Sequence, residues 1–325
     1  MKTGNPFVKI LAKILGWKPV AFLIRLSKKV VLPGFDGIPL YDVTVFFVKG
    51  LNQGYITSRA SAISFNFFLA VFPSLIFFFT IIPFIPITNF QQSLLDLIRD
   101  FLPDTAFATV QTTVEDIITR PRGGLLSIGF LLSLYFSTNG INSLIEAFNN
   151  TFHTIETRSA IKQRIVSIML VIIITILLII AIGLITFGTW LLSILLPEHI
   201  LESKLYFLVL VVSKWLVTIA MLFFAISFIY YFAPAKRRQF RFISAGSSLA
   251  TLLIIVTTLG FNFYVNNFSK YNVLYGSIGT LLVVLLWIYF NAFSLLIGFE
   301  LNASIHNAKK EGMRLTTQLF PENSR

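Results

Sequence analysis

From Tyr275 to Phe299 the chain carries no charged side chain. A helix over those roughly 25 residues, at about 1.5 Å of rise each, covers the about 30 Å of hydrocarbon in a bilayer. In lipid every backbone N–H and C=O must be satisfied within the protein, so a run of this length reads as a membrane-spanning helix. Glycines at 276, 279 and 298 remove bulk where a neighbouring helix can approach, which is how helices associate in a solvent as apolar as themselves. Glu300 closes the run. Its carboxylate either lies in the interface, held by water or a nearby Lys or Arg, or pairs inside a bundle.

Five further apolar runs, over 61–87, 124–145, 165–196, 205–232 and 242–266, precede the one over 275–302. The chain is 56% hydrophobic and only 12% charged, with mean hydropathy +0.81, which excludes an ordinary soluble domain. The expected fold is therefore all-α: a polytopic membrane protein with six transmembrane helices over 58–306. Residues 1–57 read as cytoplasmic interfacial helices and 307–325 as a cytoplasmic tail. Phe7, Ile10, Leu11, Ile14 and Leu15 share one face away from Lys9 and Lys13, the pattern of a helix lying in the interface. Tyr41 to Leu51 reads as a second such helix or as an ordinary packed one. Pro73 predicts a kink in the first span, and Pro83 and Pro86 its end. Residues 89–122 form an outer helical hairpin, with Pro103-Asp104 as the break between its arms.

Charge sets the orientation. Lys and Arg number nine up to Arg59, three in 89–122, three in 141–164, one in 197–204, four from Lys236 to Arg241, one at Lys270 and four from residue 300 onward. This alternation places both termini in the cytoplasm, in a bacterial inner membrane. The four-residue basic cluster is either a topology signal alone or also an attractor of anionic headgroups. Lys214 lies about nine residues into the fourth span, where it snorkels to the nearer interface or pairs with a carboxylate.

The second span ends in a polar stripe. Asn139, Asn142, Glu146 and Asn149 follow at steps of three, four and three and project from one face of a helix. Such a stripe faces a cavity or a helix partner, or marks a helix emerging into water. Polar groups enter the sixth span from the same side, so Asn142, Glu146 and Asn149 can share a depth with Asn291, Glu300 and Asn302. With Arg59, Asn139 and Arg158 or Arg164 these form the candidate substrate-binding set, a cytoplasm-facing polar pocket.

Catalysis finds little support. The absence of cysteine removes thiolate metal sites and cysteine nucleophiles. His153, His199 and His306 are isolated from one another, and no phosphate-cradling loop or metal-binding His motif occurs. The expectation is a non-enzyme with no metal and no cofactor, partnered by membrane lipids, anionic ones above all, and not by nucleic acid.

Several elements together resemble one family. They are Ala60, Ala62, Phe65, Phe72 and Pro73; Ala147-Phe148-Asn149 followed by Arg158 and Arg164; Phe261 to Tyr264; and Tyr275-Gly276-Ser277-Ile278-Gly279, Trp287, Tyr289 and Gly298-Phe299-Glu300-Leu301-Asn302-Ala303. In this order and spacing they are similar to the YihY/BrkB family of bacterial inner-membrane proteins, over about residues 40 to 306. The family pattern usually has Ala where this chain has Phe299. The resemblance implies a six-helix bundle with cytoplasmic ends. Members have been linked to translocation of lipids or lipid precursors and to efflux, and the label ribonuclease BN has been attached to some. A transporter or flippase-like translocator of an anionic amphipathic substrate is the leading expectation, and a non-transporting scaffold for envelope enzymes is the rival.

The cysteine-free chain gives a direct test of orientation. Cysteine placed by Ser269→Cys, beside Lys270, is expected to react with a membrane-impermeant maleimide in intact cells. Cysteine placed by Gln239→Cys is expected to react only after permeabilisation, and the reverse pattern refutes the assigned topology.

Overall fold

A computed structural model describes residues 22, 25–84, 120–151, 154–155, 158–195, 204–235, 241–268 and 277–319. The first amphipathic stretch, most of the outer hairpin, His153, His199, Lys236 to Arg238 and Tyr275-Gly276 fall outside these residues. The helices are α1 (Leu40–Gln53), α2 (Ile56–Ile81), α3 (Gly123–Asn149), α4 (Ala160–Leu195), α5 (Lys204–Phe232), α6 (Ala245–Phe268) and α7 (Ser277–Leu319). Helices α2 to α7 are each long and apolar enough to cross a membrane. The fold is an all-α polytopic membrane protein. Its described β structure is a two-residue ladder between α3 and α4, pairing Asn150 with Ile155 and Thr151 with Thr154.

Each spanning helix packs on its sequence neighbours, and α7 packs back on α2, so the six form a closed ring in chain order. The buried residues of the ring gather at one end. They come from the start of α2 (Ile56, Ala60, Ile63), the end of α3 (Leu144, Ile145, Phe148), the start of α4 (Val166, Leu170), the end of α5 (Ile226, Tyr230), the start of α6 (Ala250) and the C-terminal part of α7 (Leu296, Phe299). Alternating direction from helix to helix brings these stretches to one level.

Among the described residues the opposite half is more thinly packed, with Val171, Ile174, Leu222, Ile254 and Tyr289 only partly buried against the core. Residues 171–188, 206–225, 252–265 and 281–291 contain no buried residue, whereas a close-packed interior buries a stripe on every helix. On that side α2 and α3 stay in contact, where Phe77 meets Phe130 with ring centroids 5.5 Å apart, and α6 meets α7 through Thr257 and Ser294, whose hydroxyl oxygens are 3.3 Å apart. Lys214 lies in the thinly packed half and is exposed. At roughly 15 Å from the start of α5, its stem is able to carry the ammonium towards the interface.

Three boundaries differ from those read in the sequence. Helix α2 starts at Ile56, not 61, so Arg59, read as lying between the collar and the first span, belongs to the first turn of that span. The polarity of Thr57, Ser58 and Arg59 mimics a loop to a hydropathy reading, but the helix continues because its partners are polar as well. Helix α3 runs to Asn149, past 145. Helix α7 continues unbroken to Leu319, so the segment expected as a tail from 307 is largely helix. Its 43 residues are about 65 Å long, twice the hydrocarbon thickness. The extension is packed: Ile305 lies with Phe35 and Val43 in a second small core that Ile38, Leu40, Ala245 and Leu301 complete. Thus α1 is docked on α7 through Val43, as a packed helix.

Pro73 is buried within an uninterrupted α2, and Pro83 lies in the short 3-10 turn Ile82–Phe84 that ends it. The tightest helix crossing joins α6 to α7. A Cβ on Gly246 would lie 2.2 Å from the Gly298 carbonyl oxygen, and one on Gly298 would lie 2.5 Å from that of Gly246. Gly298 thus acts as the close-approach residue its position suggested, against a partner the sequence reading did not single out. Gly246→Val is expected to cost at least about 1–3 kcal/mol through overpacking, read as a lowered unfolding temperature in detergent. Gly260→Val, at an open position on the same helix, should change it far less.

Candidate functional site

At the packed end, Arg59 and Glu300 meet between the first and last spans. Arg59 Nη2 is 3.9 Å from Glu300 Oε2, with the side chains 12% and 0% exposed. Arg59 Nη1 donates to the Ala147 carbonyl oxygen at 2.6 Å. That oxygen belongs to the last turn of α3, where carbonyls lack intrahelical partners and the helix dipole favours a cation. One guanidinium therefore joins α2, α3 and α7. The turn that aims it holds Tyr55 at φ 48°, a left-handed conformation, directly after α1.

An aromatic trio covers the pair's neighbourhood. Phe148 and Phe299 stack at 4.0 Å with 11° between planes, and Tyr230 meets both edge-on at 5.6 and 5.7 Å. The Tyr230 hydroxyl donates to the Leu295 carbonyl at 2.5 Å. Phe299, directly before Glu300, supplies one of the stacked rings. All three rings are buried in the main core cluster at the packed end.

The nine candidate residues divide among several places. Asn139, Asn142 and Glu146 face α4, where Arg164 Nη1 donates to Asn139 Oδ1 at 2.6 Å and Gln163 Nε2 donates to Asn142 Oδ1 at 2.8 Å. Asn142 Nδ2 in turn donates to Glu146 Oε1 at 2.7 Å. Asn142, Glu146, Gln163 and Arg164, with Ala160 and Ile161, line an open groove of about 400 Å³. Asn149 is separate: it is buried, and its Oδ1 accepts from the Ala235 amide at 2.9 Å, just past the end of α5. Arg158 also serves that end, donating to the carbonyls of Phe232 and Pro234. Asn302 caps α6: it accepts from Gly246 N and donates to Ser244 Oγ, both at 2.8 Å. Asn291 bonds within its own helix, to the Trp287 carbonyl at 2.7 Å.

The stripe on α3 parts company because its surroundings change along the helix. Over Asn139 to Glu146 the neighbour is α4, and one turn later it is the segment after α5. Arg59 and Glu300 come together as a contact, while Arg158, Asn149 and Asn302 are committed to helix ends. Gln163, Tyr230 and Gly246 were not anticipated. For Gln163 a signal existed, since it precedes Arg164 in the first turn of α4 and the chain reverses between the polar stripe and that turn. Among the described residues no three His, Asp or Glu side chains converge on a point that a metal ion could occupy.

Six helices long and apolar enough to cross a membrane define a polytopic integral membrane protein. A family model described as Virulence factor BrkB matches residues 47–318, and the chain belongs to this BrkB family. It is 32% identical over 269 residues to YfkH of Bacillus subtilis, ribonuclease-like by name, across 81% of this chain and 96% of the relative. UPF0761 membrane proteins of Aggregatibacter aphrophilus and Haemophilus influenzae are each 22% identical, over 83% and 82% of this chain and 94% and 96% of theirs. No solved structure shows significant similarity.

The contact between Arg59 and Glu300 predicts a distinctive mutational pattern. Arg59→Met or Glu300→Met alone leaves a buried charge uncompensated and is expected to cost about 3–5 kcal/mol, whereas the double variant recovers most of that. Thermal unfolding in detergent reads the cycle, and a double variant no more stable than either single one removes the pair from its structural role.

Proposed function

We propose that the protein is a translocator of anionic amphipathic molecules, phospholipids or lipid-linked precursors, in a bacterial inner membrane. The observation that supports this reading is the asymmetry of the ring: closed by packed side chains at one end, and without a fully buried residue over 171–188, 206–225, 252–265 and 281–291 of α4, α5, α6 and α7 at the other. With both termini cytoplasmic, as the distribution of Lys and Arg argues, the packed end faces the cytoplasm and the thinly packed half lies towards the outer leaflet. That is the shape of one end state of a carrier whose two sides open in turn.

The charge preference follows from the packed end. Arg59 Nε and Asn149 Nδ2 are buried donors with no hydrogen-bond partner among the described residues, and buried donors seek acceptors. A rearrangement that parted Phe148 from Phe299 would offer them to phosphate oxygens while Glu300 balanced the guanidinium. On the outside of the same end, basic residues draw anionic lipid to the membrane surface at about 1 kcal/mol each. Catalysis is not part of this proposal, and purified protein is expected to leave RNA intact. The pairing of Arg59 with Glu300 also suits the rival reading, a rigid scaffold that organises envelope enzymes.

Reconstitution separates the two. In vesicles of phosphatidylethanolamine and phosphatidylglycerol, the wild type is expected to expose headgroup-labelled lipid to an external quencher several-fold faster than in empty vesicles. The Arg59→Met/Glu300→Met protein, folded but without the charges, is expected to match empty vesicles. Wild-type rates equal to empty vesicles at several lipid compositions would sink the translocator and leave the scaffold.

A further inference from the structure

The groove between α3 and α4 lies apart from the packed core and takes no part in the proposed translocation path. It is formed by the last turns of α3 and the first turn of α4, at the level where spans leave hydrocarbon for headgroups. Two opposite charges line it, each held by amides and not by the other. Glu146 is exposed, and its Oε1 accepts from Asn142 at 2.7 Å and from Gln163 at 3.3 Å. Arg164 is oriented by Asn139 Oδ1 at 2.6 Å and by the Tyr135 ring, with its guanidinium carbon 5.1 Å from the centroid. These contacts use one carboxylate oxygen and one of five guanidinium N–H groups. Glu146 Oε2 and most of the Arg164 donors remain available in a fixed frame.

An apolar track leads away from the groove into the span. Ile161, in its wall, is followed on the same face of α4 by Ile165, Ile168 and Ile172, at steps of four, three and four and all exposed. A ligand bound here meets an acid, a base and amides at one end and a hydrocarbon surface at the other.

From this we infer that the groove is a binding site for an amine-bearing phospholipid of the phosphatidylethanolamine type. Its phosphate lies on Arg164, its primary ammonium on Glu146 Oε2, and its acyl chains run along the isoleucine face. Three features argue for this class. The site is close to neutral, so a purely anionic headgroup would meet Glu146 with repulsion. An ammonium with three N–H donors can bond a carboxylate oxygen, and charge-assisted bonds of that kind are strong. A phosphate accepts the several parallel donors that a guanidinium presents. The lipid stands apart from the substrate proposed above and stays bound while another molecule crosses.

Native mass spectrometry of the full chain in detergent tests the assignment, with dioleoyl lipids as probes. Wild type is expected to retain phosphatidylethanolamine about tenfold or more tightly than phosphatidylcholine, whose methylated ammonium has no N–H to donate, and than phosphatidylglycerol, which lacks the cation. Glu146→Gln is expected to erase the discrimination between phosphatidylethanolamine and phosphatidylglycerol, and Arg164→Gln to weaken both. Soluble glycerophosphoethanolamine is expected not to compete at equal concentration, because the acyl chains contribute. Equal retention of the three lipids by wild type overturns the proposal without any mutant, and full competition by the soluble headgroup overturns the lipid as its source. The lipid-flipping assay reads separately: loss of flipping with headgroup selectivity intact would refute translocation and leave this site standing.

Discussion

Arg59 joins three of the six spanning helices through one planar group. It reaches Glu300 on α7 and the Ala147 carbonyl on α3 from the first turn of α2. In a bilayer, burying leucine against leucine yields little, because lipid tails are equally apolar. Cohesion has to come from close backbone approach and from polar groups that lipid cannot satisfy. In this ring the thinly packed half shows few of either, and the packed end concentrates both: the guanidinium, the approach of Gly246 to Gly298, Asn302 on the N-terminus of α6, and Arg158 on the carbonyls that end α5. The uneven packing of the ring therefore has a cause in where its polar side chains fall.

The three arginines that sequence reasoning weighed for one pocket, Arg59 with Arg158 or Arg164, do not share one job. Two of them, Arg59 and Arg158, sit at the C-terminal ends of α3 and α5, where a cation meets unpaired carbonyls and the negative end of a dipole. The third, Arg164, bonds a side chain across the α3–α4 seam. Nothing in the spacing of these residues along the chain separates a helix-capping arginine from one that meets a ligand. The distinction depends on which helix end lies opposite, a matter of tertiary placement.

Much of the architecture was legible because lipid restricts the possibilities: a long apolar run with at most one charge has few alternatives to a spanning helix, and six such runs were found. The close-approach role of Gly298 was legible for the same reason. The start of α2 was not, because hydropathy treats Arg59 as a boundary and cannot see Glu300, which lies far along the chain and fits beside it. The length of α7 was hidden by the polar residues after Asn302, which are helix-compatible but look like a tail until Phe35 and Val43 supply a surface to bury Ile305. Of the candidate site, the facing of Asn139, Asn142 and Glu146 could be read from their periodicity. The departure of Asn149 could not, since it depends on what lies beyond the end of α5.

Ring closure in chain order also bears on biosynthesis. Helices α3 to α6 can each settle against the helix made just before, but α2 receives its second spanning neighbour only when α7, the last span, has been made. Until then Arg59 waits in the first span without its carboxylate, held by the end of α3 alone. A nascent or truncated chain lacking α7 would thus carry a charge lodged beside an open seam. Completion of the protein brings its first and last spans together, with Arg59 and Glu300 meeting at their seam.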